Sequence, residues 1–228
     1  MSKASSAFTG FRPAAFEFFA GLRDNNDPDW FKPRKAIYER EVLAPFRALI
    51  GAVSAALEEA GIPLIGDPQR GMFRIYRDVR FSPDKRLYKT HAGAVLTRSG
   101  GKRDPGLLYL HVAPGESMVG AGFWHPEPDI LARLRRAILA EPDAFTAIAE
   151  RMTAAGSPLT SDERLSPTAT RLRRRQGYGS SGVCLLEVIH RACRAQRCQD
   201  AVISACRAYC RIYAIGATAA RMGLGCDR

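Results

Sequence analysis

The chain has 228 residues, enough for one large domain or for one domain with an appended segment. Hydrophobic residues make up 46% and charged residues 25%, the balance of a globular protein. No run of about 18 apolar residues exists to span a bilayer. The opening stretch reads as neither a signal peptide nor an anchor, because the apolar run Phe16–Ala20 is short and broken by Glu17. A cytoplasmic protein with no membrane partner is the expectation.

The net charge of +11 invites nucleic acid as a partner, but its distribution argues otherwise. Residues 166–228 hold eleven Arg, no Lys and three acids (Glu187, Asp200, Asp227), which leaves only +3 for everything before them. The six cysteines, Cys184, Cys193, Cys198, Cys206, Cys210 and Cys226, also fall in that tail. They lack the paired C-x₂-C spacing of a zinc site, and a reducing cytoplasm disfavours disulfides. Neither a metal nor a cofactor is expected.

In chain order, a first helix is expected over Pro13 to Arg23, with Phe16, Phe19 and Leu22 at helical spacing. The run Asp24-Asn25-Asn26-Asp27-Pro28-Asp29 is turn chemistry, with Asp29 as the candidate cap of the next helix. That helix should run from Trp30 to Ala60 on the stripe Leu43, Phe46, Ile50, Val53 and Leu57. Pro45 should kink or divide it, and Gly61 and Pro63 should end it.

Four strands are expected next, over Met72–Arg77, His91–Thr97, Leu107–Ala113 and Ser117–Trp124. Turns at Ser99-Gly100-Gly101 and Pro114-Gly115 imply antiparallel neighbours. Beyond His125-Pro126 the pattern becomes helical again, with Ile130, Leu131, Leu134 and Ile138 on one stripe and Phe145, Ile148 and Met152 on another. The fold class is therefore α+β, a mainly antiparallel sheet of about four strands with N-terminal and C-terminal helices on one face.

Period-two alternation divides that sheet into two faces. Phe73, Ile75, Ala92, Ala94, Leu96, Leu108, Leu110, Val112, Val119, Ala121 and Phe123 would meet the helices. Arg74, Tyr76, His91, Gly93, Tyr109, His111, Gly120, Gly122 and Trp124 would face away. Arginine offers a forked donor, lysine a point charge and tyrosine a directional hydroxyl, the chemistry that holds a phosphate or carboxylate. The candidate ligand-binding set is Arg74, Tyr76, Arg77, Arg80, Lys85, Lys89, His91, Tyr109 and His111. The bland reading uses the same residues as the wet face of a one-sided sheet, with the cations neutralising Asp78, Asp84 and Glu39. His91 and His111 titrate in a range suited to acid–base work, but no nucleophile or metal-ligand spacing accompanies them.

Several stretches also carry a family resemblance. They are Asn25-Asn26 before Trp30-Phe31, Lys35 with Tyr38-Glu39, the run from Phe73 to Ser82, Asp84-Lys85, Tyr88-Lys89-Thr90-His91, Tyr109 with His111, and Gly120-Ala121-Gly122 before Pro126-Glu127-Pro128. Together they resemble the bacterial family "domain of unknown function 2461" over residues 8–165, with Leu87 standing where that family has proline. The resemblance implies no reaction.

The resemblance also implies a helical continuation containing a Trp/Arg-Lys-Ser-Phe motif, which this chain lacks. Plausible codons for Leu186–His190 spell Trp-Lys-Ser-Phe-Ile when shifted by one nucleotide. Residues 166–228 are accordingly expected to be an out-of-frame or poorly ordered segment behind a single domain over residues 1–165, with a true Cys-rich extension as the alternative. Two functions follow from the sequence. The first is binding of an anionic small molecule on the Arg/Tyr/His face. The second is a non-catalytic module for nucleic acid or a protein.

Overall fold

The computed structural model describes residues 8–80, 82–104, 106–123, 127–154 and 190–191. The chain divides into two compact units. The first draws its described residues mainly from Met1–Asp104 and Leu108–Val119, and the second contains the two later helices.

In the first unit α1 (Pro13–Asp24) begins on a proline, whose missing N–H costs nothing at a helix start, and buries Ala15, Phe18, Phe19 and Leu22. Helix α2 (Pro28–Ile37) is capped by Asp27 rather than by the expected Asp29. The Asp27 carboxylate accepts from the amides of Asp29 and Trp30, both at 2.9 Å. With Pro28 as the first helical residue, the position before it is the one whose side chain can reach those amides.

The single long helix expected to Ala60 is divided. A π-helical turn, Tyr38–Leu43, separates α2 from α3 (Ala44–Glu59). Pro45 has no N–H for the carbonyl four residues back, and its ring crowds that carbonyl. The chain answers by widening one turn, so that the Ala44 amide donates to the Glu39 carbonyl, five residues back. Beyond it Phe46, Leu49, Ile50, Val53 and Leu57 are each at most 1% exposed. Burial on this scale stabilises by about 1.5–3 kcal/mol per large side chain.

The sheet has strand order β1 (Ala92–Leu96), β2 (Gly106–Val112) and β3 (Met118–Phe123). β1 and β2 are antiparallel, with Ala92 opposite Val112, Ala94 opposite Leu110 and Leu96 opposite Leu108. Ala94, Leu96, Leu108, Leu110 and Val112 are buried, and α3 lies against β1. The expected division into an apolar face and a polar face therefore holds along β2, where burial alternates residue by residue.

Met72–Arg77 does not form the expected ladder strand. It bends at Ile75 and makes two single bridges, Met72 to Ala94 and Tyr76 to Tyr88. The Phe73 amide donates to the Gly93 carbonyl, the Arg77 amide to Leu87 and the Lys89 amide to Ile75, each at 2.8 Å. This short ribbon, residues 72–77 against 87–93, first pairs with the edge of β1 and then with the chain leading into β1. Its register opposes Met72, not Phe73, to the apolar Ala94. Phe73 thereby falls opposite Gly93 on the polar face, whereas Ile75, at the bend, is buried as expected.

In the second unit α4 (Pro128–Ala140) and α5 (Pro142–Ala154) cover the two expected helical stripes. The segment 166–228 lies outside the described residues apart from the two-residue strand β4 (His190–Arg191), and Trp124 lies outside them too.

Candidate functional site

The edge shift decides which side chains meet. Phe73, opposite Gly93, has its ring edge-on to Tyr109 with centroids 6.3 Å apart. The Tyr109 hydroxyl lies 3.1 Å from His111 Nδ1, and the His111 ring stacks on His91 at 4.3 Å and 27°. Gly93 makes room for this arrangement. A Cβ there would sit 2.9 Å from the Tyr109 hydroxyl oxygen, so any larger residue would push the phenol off His111.

Two lysine ammoniums lie over the Phe73 ring. Lys89 Nζ is 5.1 Å from its centroid and Lys102 Nζ 5.3 Å, both within cation–π range. Neither has a carboxylate partner among the described residues. Burial, and then the charges of Arg74, Lys102 and Arg77, make the Lys89 ammonium easier to deprotonate than an ordinary lysine.

Burial dominates the histidines as well. The His91 pKa is lowered to about 4 by desolvation, reinforced by His111, Lys89 and Arg77. His111 is lowered by burial against a weaker opposing pull from Glu116. Tyr109 is raised by burial, so its phenol stays protonated. At neutral pH the face holds two uncharged imidazoles and a phenol beside a group of cations. Such a face can donate hydrogen bonds to an anion and exchange a proton with it.

Of the residues singled out from the sequence, Lys89, His91, Tyr109 and His111 come together. Arg77 adjoins them electrostatically, while its guanidinium donates to Asp84 at 2.5 Å. Arg74 is exposed, and its charge still acts on Lys89.

Tyr76 is placed differently. It joins the helices, with its ring 6.2 Å from Phe31 and 5.3 Å from Tyr88, in an aromatic cluster that includes Phe18 and Tyr38. The expected grouping of Tyr76 with the histidines fails because, beyond the bend at Ile75, the chain pairs Tyr76 with Tyr88 instead of with β1. Arg80 and Lys85 belong to the loop between the two arms of the ribbon. Arg80 grips Asp78 through Nε at 3.0 Å and Nη2 at 2.6 Å, and Lys85 Nζ donates to the Val79 carbonyl at 3.1 Å.

Sequence reasoning missed Phe73 and Lys102. Alternation alone places Phe73 on the apolar face, although Met72 competes for that place at the preceding position. Lys102 follows the Gly100-Gly101 turn, and only the folded turn brings it to Phe73.

Asn26, part of the motif before Trp30-Phe31, explains how the ribbon is held. Its side-chain amide accepts from the Tyr88 amide at 2.8 Å and donates to the Tyr88 carbonyl at 3.0 Å, acting as an extra peptide group across 62 residues. Among the described residues no three His, Cys, Asp or Glu side chains are placed to hold a metal ion.

An α+β domain with a basic, histidine-bearing face on an antiparallel sheet is thus the class that fold and site define. The chain belongs to the family described as conserved hypothetical protein (DUF2461), whose model matches residues 14–174. No curated protein and no solved structure matches it. No helix among the described residues is long and apolar enough to cross a membrane.

Proposed function

We propose that this domain binds an anionic ligand bearing a phosphate or carboxylate on the face formed by Lys89, His91, Tyr109 and His111, with Phe73, Arg77 and Lys102 completing it. The observation that carries this reading is the pair of lysine ammoniums on one phenyl ring with no described carboxylate between them. Lys89 is half-buried, and holding the charge of the exposed Lys102 near it is unfavourable, which an anion relieves. The wet-face alternative asks the cations to neutralise nearby acids. The loop cations Arg77, Arg80 and Arg86 do so with Asp78 and Asp84. Lys89 and Lys102 do not.

Nucleic-acid binding has its best sequence support in the arginine-rich tail. The described part offers less, because the loop of residues 78–86 sets two carboxylates against three cations.

Calorimetric titration of the full chain with inorganic phosphate at low salt tests the proposal. Phosphate should bind wild type and Arg80→Ala alike, and Lys89→Met at least about tenfold more weakly, a loss of about 1.4 kcal/mol. Equal affinity for wild type and Lys89→Met, or no binding at all, would overturn it.

A further inference from the structure

Resting on that reading, we propose that the site takes its anion together with one proton, shared between the ligand and the His91–His111 pair, and that this selects phosphate over sulfate and simple carboxylates. Donors outnumber acceptors on this face. Lys89, Lys102 and Arg77 present only donors. A neutral imidazole carries one N–H and one bare nitrogen, so His91 keeps an acceptor in either tautomer.

His111 and Tyr109 share one hydrogen bond through Nδ1. If the phenol donates, Nε2 carries the N–H. If Nδ1 donates, Nε2 is bare and the phenol proton points elsewhere. In both cases a donor-rich face contains at least one bare nitrogen beside the cations.

Sulfate and acetate have only lone pairs in the neutral range, so they meet that nitrogen lone pair to lone pair. Hydrogen phosphate keeps one hydroxyl and can donate it there while its other oxygens accept from the lysines. An anion without a hydroxyl needs the site to acquire the proton instead.

The surroundings explain why that proton is not already present. Burial above all, then His111, on which His91 stacks, and the charges of Lys89 and Arg77 act against a positive imidazole at His91, while at His111 burial outweighs the favourable charge of Glu116. A bound anion reverses the balance. The rings are 4.3 Å apart, so a second imidazolium would stand directly against the first. One proton per anion is the natural stoichiometry.

The test is titration of the full chain with inorganic phosphate, sulfate and acetate. At about pH 7.5 phosphate should bind at least about tenfold tighter than the other two. Sulfate affinity should then rise about tenfold per pH unit towards about pH 5.5, the slope of a single coupled proton. A His91→Asn, His111→Asn double variant, checked for cooperative melting, should bind phosphate and sulfate equally with no such slope. Methyl phosphate at about pH 6, where it also carries a hydroxyl, separates the two sources of this chemistry. Binding as tight as inorganic phosphate points to a monoester and exclusion to the free ion, and both support the proposal.

Equal, pH-independent binding of phosphate and sulfate that Lys89→Met weakens would overturn the proton coupling and leave the anion site standing. No binding of any of these anions would remove both.

Discussion

The two faces of the ribbon formed by residues 72–77 and 87–93 meet opposite fates. On one, Tyr76 and Tyr88 close over Phe31, the Phe31–Tyr88 rings stack at 4.4 Å, and Asn26 satisfies both polar groups of the Tyr88 backbone. On the other, two ammoniums lie over Phe73 and the histidines stack uncharged at the end of a short chain of contacts. The helix side is complete by itself. The histidine side is assembled but electrostatically unfinished, with two ammoniums over one ring and no described carboxylate for either; on the proposed reading that is capacity to bind, held by the well-packed face behind it.

Breaking the finished face should have the largest effect. Phe31 is 3% exposed and touches Phe18, Tyr38, Tyr76 and Tyr88, so Phe31→Ala should destabilise by about 3–5 kcal/mol in a denaturant melt. Asn26→Ala should follow at about 1–3 kcal/mol, because it strands an amide and a carbonyl of Tyr88, a residue only 4% exposed.

The unfinished face should respond in the other sense. Lys89→Met should leave stability within about 0.5 kcal/mol of wild type, or raise it, while anion binding falls. Loss of stability comparable to Asn26→Ala would show Lys89 to be structural.

The smallest effect is a pH dependence. Between pH 6.5 and about 4 the unfolded chain protonates His91 and the folded chain does not, so stability should fall as pH falls through that window. His91→Asn should flatten this part of the profile, and added phosphate should oppose it. A profile identical in wild type and variant would show His91 to be unperturbed.

Much of this molecule was legible in its residues. Phe46, Ile50, Val53 and Leu57 announce a buried helix face by spacing alone, and Tyr109 and His111 alternate with Leu108, Leu110 and Val112 so regularly that β2 and its two faces could be read directly. Two kinds of information were not local. Phe73 changed face through the pairing of Met72 with Ala94, while Tyr76 left the histidines because the ribbon bends at Ile75, itself buried as expected, and then pairs Tyr76 with Tyr88. Lys102 entered the site through a turn whose geometry brings distant residues together. The helix division at Tyr38–Leu43 shows a third limit. Pro45 signals an interruption, but whether the chain kinks, breaks or widens by one residue depends on what packs around it.

The central claim is that an anion sits between Lys89 and Lys102, over Phe73 and beside the histidine pair. Crystals of the full chain soaked with tungstate, a heavy tetrahedral analogue of phosphate, would locate it by anomalous scattering. The account predicts a peak within hydrogen-bonding reach of both lysine ammoniums and of Tyr109 or a histidine. A peak only at the Arg77, Arg80 and Arg86 loop, with the Lys89–Phe73–Lys102 face empty, would contradict it.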